Sequence, residues 1–310
     1  MSNLIVSVSP HLTHKDSTRT IMRDVLIALI PAVIASIVIF GWRALLLTIV
    51  CVGTAVFWEW AFQKICKRKT TIGDLSAAVT GLILAMNLPV GLPLWQAAFG
   101  TLVAIIVVKQ LFGGIGYNFA NPAITARVVM LIAFAGTMTT WAAPNFYFGA
   151  DAISAATPLA VLKEGGSYSL LNLFLGTVGG SMGETSALAL LIGFVYLLCR
   201  RVITWHTPVA FIGTVFVLAL VKGGFMFGLA EILAGGVFLG AIFMATDYVT
   251  TPQTPWGRVI FGIGCGLITC LIRFFGNYPE GVSFSILLMN ILTPYISNWT
   301  AKKPLGGVEA

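Results

Sequence analysis

The chain has 310 residues, 58% of them hydrophobic and 9% charged, with a formal net charge of +7 and a mean hydropathy of +0.95. A soluble domain of this length carries about 25% charged residues, so the composition excludes a soluble globular protein and marks an integral membrane protein. The basic excess does not signal nucleic-acid binding, because no basic-aromatic patch and no soluble surface accompany it. The five cysteines, Cys51, Cys66, Cys199, Cys265 and Cys270, form no Cys-x-x-Cys pair and read as packing residues rather than metal ligands.

In chain order, residues 1–23 are polar, and the apolar run after them lacks a small-residue cleavage site, so it reads as a retained span. Runs long enough to cross a bilayer follow near 24–41, 44–62, 94–112, 122–138, 184–200, 206–222, 229–245, 257–275 and 282–299. A shorter run at 73–88, ending in Asn87-Leu88-Pro89, is counted as a tenth because the charge pattern beyond it requires another crossing. With ten spans both termini share one side. Thirteen basic residues lie on that side: Lys15, Arg19, Arg23, Lys64, Lys67, Arg68, Lys69, Lys109, Arg200, Arg201, Arg258, Lys302 and Lys303. Arg43, Lys163, Lys222 and Arg273 lie opposite, and Arg127 lies inside a span. The positive-inside rule therefore makes both termini cytoplasmic and puts the loop 139–183 outside.

These runs predict an all-α polytopic membrane protein of about ten transmembrane helices in two inverted five-helix repeats. It forms a single domain over 1–310: a cytoplasmic segment 1–23, a first half 24–138, an outer loop 139–183, a second half 184–300 and a cytoplasmic tail 301–310. Gly81-Leu82-Ile83-Leu84-Ala85 is similar to Gly240-Ala241-Ile242-Phe243-Met244, and each run is followed by a proline-containing break and a tryptophan, Trp95 or Trp256. Five spans separate the two copies, so one is inverted relative to the other. Interrupted spans at matching places in inverted halves mark a ligand site near the midplane. Chance likeness between apolar segments is the alternative.

The outer loop carries Asp151-Ala-Ile-Ser154-Ala-Ala-Thr157-Pro158-Leu159. Thr157 reads as a helix N-cap with Pro158 at the first helical position. A phosphoryl group esterified to its hydroxyl would meet free backbone N–H groups and the positive end of the helix dipole. A plain capping threonine is the other reading. The loop's length of about 45 residues argues for function, and the small side chains between Asp151 and Thr157 leave room for a modifying enzyme; Asp151 and Ser154 are counted with this site.

A second constellation, Gly113-Gly114-Ile-Gly116-Tyr-Asn118-Phe-Ala-Asn121-Pro122-Ala123, joins the fourth and fifth spans on the cytoplasmic side. Glycines let backbone approach a flat ligand, and Asn118 and Asn121 offer paired donors and acceptors. Structural capping by Asn121 fits the same residues. Asp247, an acid beside an apolar run, is costly to place there and reads as functional. Glu59, Lys109, Arg127, Glu184, Glu231 and Arg273 are further ionisable groups in or near spans, without partners that the sequence can name. His11, His14 and His206 have no metal-ligand spacing. No dinucleotide fingerprint, Walker loop or catalytic triad is present, so nucleotide substrates are left to partner subunits.

The combination of Ser9-Pro10-His11, the run Ser17–Pro31, Gly113–Ala123, Asp151–Leu159 and Met244–Pro252 resembles the D subunit of the Rnf ion-translocating ferredoxin:NAD oxidoreductase, and the related B subunit of the sodium-pumping NADH:quinone reductase. The short N-terminus favours the Rnf form. The resemblance implies FMN joined through its phosphate to Thr157 by a dedicated flavin transferase. It also implies a non-covalent riboflavin, or other second flavin, near Asn118, Asn121 and Asp247. In relatives the residue two before the threonine is often glycine; here it is Ala155, and the pattern accepts a small residue. The implied activity is electron transfer between ferredoxin and NAD coupled to Na+ or H+ movement across the cell (inner) membrane, in complex with other Rnf subunits. A small-solute channel of inverted-repeat type and a passive scaffold remain as alternatives, because architecture alone does not set function.

Overall fold

The computed structural model describes residues 17–144, 157–163, 166, 169–184, 186–276 and 280–301, and its regular elements among these are helices. Four are both long and apolar enough to cross a membrane: α1 (Thr18–Phe40), α2 (Trp42–Ile65), α10 (His206–Leu233) and α12 (Pro255–Phe275). At 1.5 Å per residue the 23 residues of α1 span about 35 Å, more than a hydrocarbon core of about 30 Å. Shorter apolar helices are α3 (Ser76–Met86), α4 (Leu94–Gln110), α5 (Pro122–Ala133) and α9 (Ala187–Cys199). Between and after them lie α6 (Ala135–Met138), α7 (Pro158–Lys163), α8 (Leu170–Leu175), α11 over 237–244 and α13 (Val282–Thr300).

Local chemistry sets the boundaries. Ser17 and Thr20 form a reciprocal capping box that starts α1, with Ser17 N–H donating to Thr20 Oγ1 at 2.8 Å. Asn121 and Thr254 cap α5 and α12, each followed by a proline whose missing N–H costs nothing at the first turn. The expected span 122–138 is divided at Phe134, whose ring lies edge-on to Trp95 and Phe99 with centroids 5.3 and 5.6 Å away. The sixth begins at Ala187, capped by Ser186, rather than at Glu184.

The expected spans 206–222 and 229–245 are both re-shaped. Helix α10 folds back on itself at Gly224, where φ is +82°, a value that favours glycine. Phe216 and Phe225 then pack edge to face at 5.8 Å. The returning arm stops at Leu233, and the chain restarts after Gly235 (φ +74°) as an α-turn, Val237–Leu239, that widens into a π-turn, Gly240–Met244. The second half of α4, Val103–Gln110, is also π-helical. Such turns are uncommon and concentrate at functional sites.

The main core joins α1, α3, α9 and α11 through residues such as Leu29, Leu84, Leu190 and Val237. Gly262 and Gly266, one helical turn apart on α12, let it approach α10 closely: a methyl group on Gly266 would stand 2.6 Å from Thr214 Cβ. A smaller cluster of Leu159, Leu162, Leu173, Val178, Ala230 and Ala234 seats α7 and α8 on the end of α10. Ile30, Ile34, Ile49, Ile192 and Val217 are exposed, which suits surfaces facing lipid.

Candidate functional site

Two truncated helices meet inside the protein. Helix α3 ends at Asn87 and α11 ends at Met244, and Asn87 Nδ2 lies 3.6 Å from Met244 Sδ. Around this junction the polar residues divide into a cavity and a charge network.

The cavity has a volume of about 240 Å³, and its polar lining includes Ser76, Thr80, Lys109, Asn118, Asn121 and Asp247. The loop before α5 turns through Gly113, Gly114 and Gly116, with φ of +126°, +100° and +92°. It brings two buried amides to the wall. Asn121 Oδ1 accepts from Ala123 and Ile124 N–H at 3.0 and 3.3 Å, while its Nδ2 donates to Met244 O at 3.2 Å. Asn118 Nδ2 donates to Ala120 O at 3.1 Å, and the Asn118 side chain also hydrogen-bonds Asp247. Thr250 Oγ1 donates to Asp247 Oδ2 at 3.2 Å. Burial pushes the Asp247 carboxyl above its ordinary value, against the opposing pull of hydrogen bonds from Val249, Thr250 and Asn118. The structure thus gathers all three residues expected at the second ligand site into one wall, and the capping reading of Asn121 holds as well.

Lys109 reaches the cavity from the π-helical part of α4. Its Nζ donates to Glu59 Oε2 at 2.8 Å and to Ser76 Oγ at 2.6 Å. Glu59 Oε1 accepts from Gln63, Thr71 and Gln110 at 3.3, 3.2 and 3.0 Å. The buried charge is therefore paired and its lone pairs are filled, as burial demands.

On the other side of the junction, Arg127 Nη1 donates to Asn87 Oδ1 at 2.6 Å and to Glu280 Oε1 at 3.5 Å, and Arg127 Nη2 pairs closely with Glu280 Oε2. Glu280 Oε1 also accepts from Gly236 N–H at 3.1 Å. Arg273 Nη1 binds Glu231 Oε2 at 2.8 Å and Glu231 O at 2.6 Å, and its Nη2 binds Ala234 O at 3.1 Å. These bonds satisfy carbonyls freed by the break at 234–236. Ser181 Oγ donates to Glu184 Oε2 at 2.6 Å, and the backbone beside it is tied to the end of α3 by Gly183 N–H to Met86 O at 2.7 Å.

Thr157 opens α7, whose Leu159 reaches this network. It is buried, and its Oγ1 accepts from Ala160 N–H at 3.2 Å, so the expected N-cap is present. Leu159, two residues on, presses on Gly235: a Cβ there would meet Leu159 Cδ1 at 2.5 Å and Arg273 Nη2 at 2.7 Å. Thr157 is not part of the cavity lining, so the structure keeps the two expected cofactor positions apart. Asp151 and Ser154, with His11, His14 and the tail 302–310, lie outside the described residues.

The sequence alone leaves Glu59, Lys109, Arg127, Glu231 and Arg273 without partners and gives Glu280 no role. A lone arginine in an apolar run is the available signal, because a buried guanidinium demands an acidic partner.

Comparison with known proteins adds the family. Residues 5–306 match the model of the NQR2, RnfD, RnfE family. The chain is 46% identical to the D subunit of the Na+-translocating ferredoxin:NAD+ oxidoreductase complex of Acetobacterium woodii, with 98% of this chain and 96% of that protein aligned. It is 41% identical to the D subunit of the proton-translocating ferredoxin:NAD+ oxidoreductase complex of Clostridium ljungdahlii, covering 97% and 96% respectively. Identity to the D subunit of the ion-translocating oxidoreductase complex of Stutzerimonas stutzeri is 40%, covering 91% and 90%.

Proposed function

This chain belongs to the NQR2, RnfD, RnfE family, and on that premise we propose that it is the flavin-carrying membrane subunit of an ion-translocating ferredoxin:NAD oxidoreductase complex. The observation that carries the reading is the convergence of Asn118, Asn121 and Asp247 on one buried cavity, separate from a capping threonine on the other side of the α3–α11 junction.

The residues present fit two flavins. Asn118 and Asn121 would hold the polar edge of a ring in the cavity, with Asp247 fixing the Asn118 amide. The Thr157 hydroxyl would carry FMN as a phosphate ester, made by a flavin transferase, with Asp151 and Ser154 nearby in sequence. A helix N-terminus favours an anion there. Bound flavin supplies one- or two-electron transfer, and the protein's share is position and electrostatics. Ferredoxin and NAD are handled by partner subunits.

In this reading the chain crosses the cell (inner) membrane ten times, with both termini cytoplasmic and Thr157 outside, in the segments 1–23, 24–138, 139–183, 184–300 and 301–310. The meeting of the ends of α3 and α11 supports two inverted five-helix halves, since truncated helices entering from opposite faces would stop near the midplane. The relatives' names differ in the ion moved, so the proposal is Na+ or H+. We take flavin reduction, by adding negative charge in a low-dielectric region, to draw in that cation.

The test is a denaturing gel of the chain, co-expressed with a flavin transferase and viewed under ultraviolet light. A fluorescent band that disappears in Thr157→Ala is expected; a dark wild-type band would overturn covalent attachment. Electron transfer that leaves the membrane potential of vesicles unchanged would refute the coupling.

A further inference from the structure

The charge network at the α3–α11 junction holds three carboxylates, Glu184, Glu231 and Glu280, and two guanidiniums, Arg127 and Arg273. Arg127 is engaged by Glu280 and Arg273 by Glu231, each at ion-pair distance. Among the described residues, Glu184 has neither: its hydrogen bond comes from the Ser181 hydroxyl. Yet Glu184 is only 7% exposed, and Glu280, Arg127 and Arg273 all lie within electrostatic reach of it. Counting formal charges among the described residues, these five groups carry one surplus negative charge, with Glu184, Glu231, Arg127 and Arg273 buried and Glu280 partly so. Such a charge is not sustained without a compensating ligand.

We propose that Glu184 is a proton-binding site, and that it exchanges this proton with the aqueous phase as the charge of the neighbouring redox group changes. Binding converts carboxylate to carboxylic acid and forms no other bond. A proton placed on the carboxylate itself removes the surplus charge and needs no further oxygen ligands, whereas a metal cation needs several and the described side-chain partner of Glu184 is the single hydroxyl of Ser181. The position couples it in two directions. Residues Met182 and Gly183, just before it, bond to Leu88 and Met86 at the end of α3. Arg273, within its reach, lies under Leu159 at Gly235, two residues from Thr157. The exchange part rests on the redox reading above; the bound proton does not.

Infrared difference spectroscopy of the purified complex separates the two. A difference spectrum between acidic and alkaline samples is expected to contain a carboxylic acid C=O band that shifts in D2O and is missing in Glu184→Gln. Glu280→Gln frees Arg127 to face Glu184, so the pH midpoint of that band is expected to fall by about one unit or more, as an unpaired neighbouring cation dictates. This variant keeps the proposal testable if Glu184→Gln does not assemble. A pH-dependent spectrum unchanged in Glu184→Gln, or a midpoint unmoved in Glu280→Gln, overturns the proton site. Carboxylate bands that respond to Na+ instead, and lose that response in Glu184→Gln, assign the oxygen to a metal cation and overturn it too. If the pH band stands but never appears in a redox-difference spectrum, the exchange fails with the proton site intact.

Discussion

Replacing Lys109 by methionine would strip the cation from Glu59 while keeping a similar side-chain volume. Glu59 is 0% exposed and its Oε2 lies 2.8 Å from Lys109 Nζ. At that separation and an effective dielectric of 20, Coulomb attraction is about 6 kcal/mol. Desolvation of both charges offsets part of it, and breaking one partner of a buried pair costs about 3–5 kcal/mol. Lys109→Met and Glu59→Gln are each expected to fall in that range. The double variant buries no charge, and the amide oxygen introduced by Glu59→Gln can still accept from Thr71 and Gln110, so its cost should drop to about 1–2 kcal/mol. Unfolding in mixed detergent micelles, followed by tryptophan fluorescence, measures all four corners of the cycle. A double variant that costs the sum of the singles to within about 0.5 kcal/mol would refute the pairing.

Other contacts set further outcomes. Gly266→Ala drives a methyl group to 2.6 Å from Thr214 Cβ and should destabilise by about 1–3 kcal/mol. Gly53→Ala, where nothing lies within 4 Å, should stabilise α2 by about 0.5–1 kcal/mol; the same unfolding assay decides both. Thr157→Ser keeps a hydroxyl and an N-cap, so the ultraviolet band lost in Thr157→Ala should persist in it, and a dark Thr157→Ser band would count against attachment through the hydroxyl alone. Because burial raises the Asp247 carboxyl above the ordinary 3.8, its folded form favours the neutral acid. The contribution of Asp247 to stability is therefore fully present below that value and is lost as pH rises through the raised one. Asp247→Asn should flatten this slope in unfolding midpoints across a pH series, and an unchanged slope would place the titration elsewhere.

The long apolar runs were legible because burial in lipid imposes length and composition on a span. Caps were legible too, since Asn121-Pro122 and Thr254-Pro255 solve the helix-start problem locally. What failed to show was tertiary pairing. Glu59 and Lys109 are 50 positions apart and Arg127 and Glu280 are 153 apart, and apolar periodicity says which face is inward without saying what it meets. The break at Gly235 was hidden for a related reason: residues 229–245 are apolar throughout apart from Glu231. Leu159 and Arg273, from two other elements, crowd the position where any side chain at residue 235 would stand. The cavity wall was half legible. Asn118, Asn121 and Asp247 stand out as polar residues beside apolar ones, whereas Lys109 and Ser76 join them only because α3 and α4 pack side by side.

Met244 is a single residue held from both the cavity and the charge network, its backbone carbonyl by Asn121 and its sulfur by Asn87, which also holds Arg127. Damage at this shared residue would be felt by both neighbours at once. Loss of turnover in a Met244, Asn87 or Asn121 variant therefore reports on the cavity and the charge network together, and each such variant needs one readout taken on each of them.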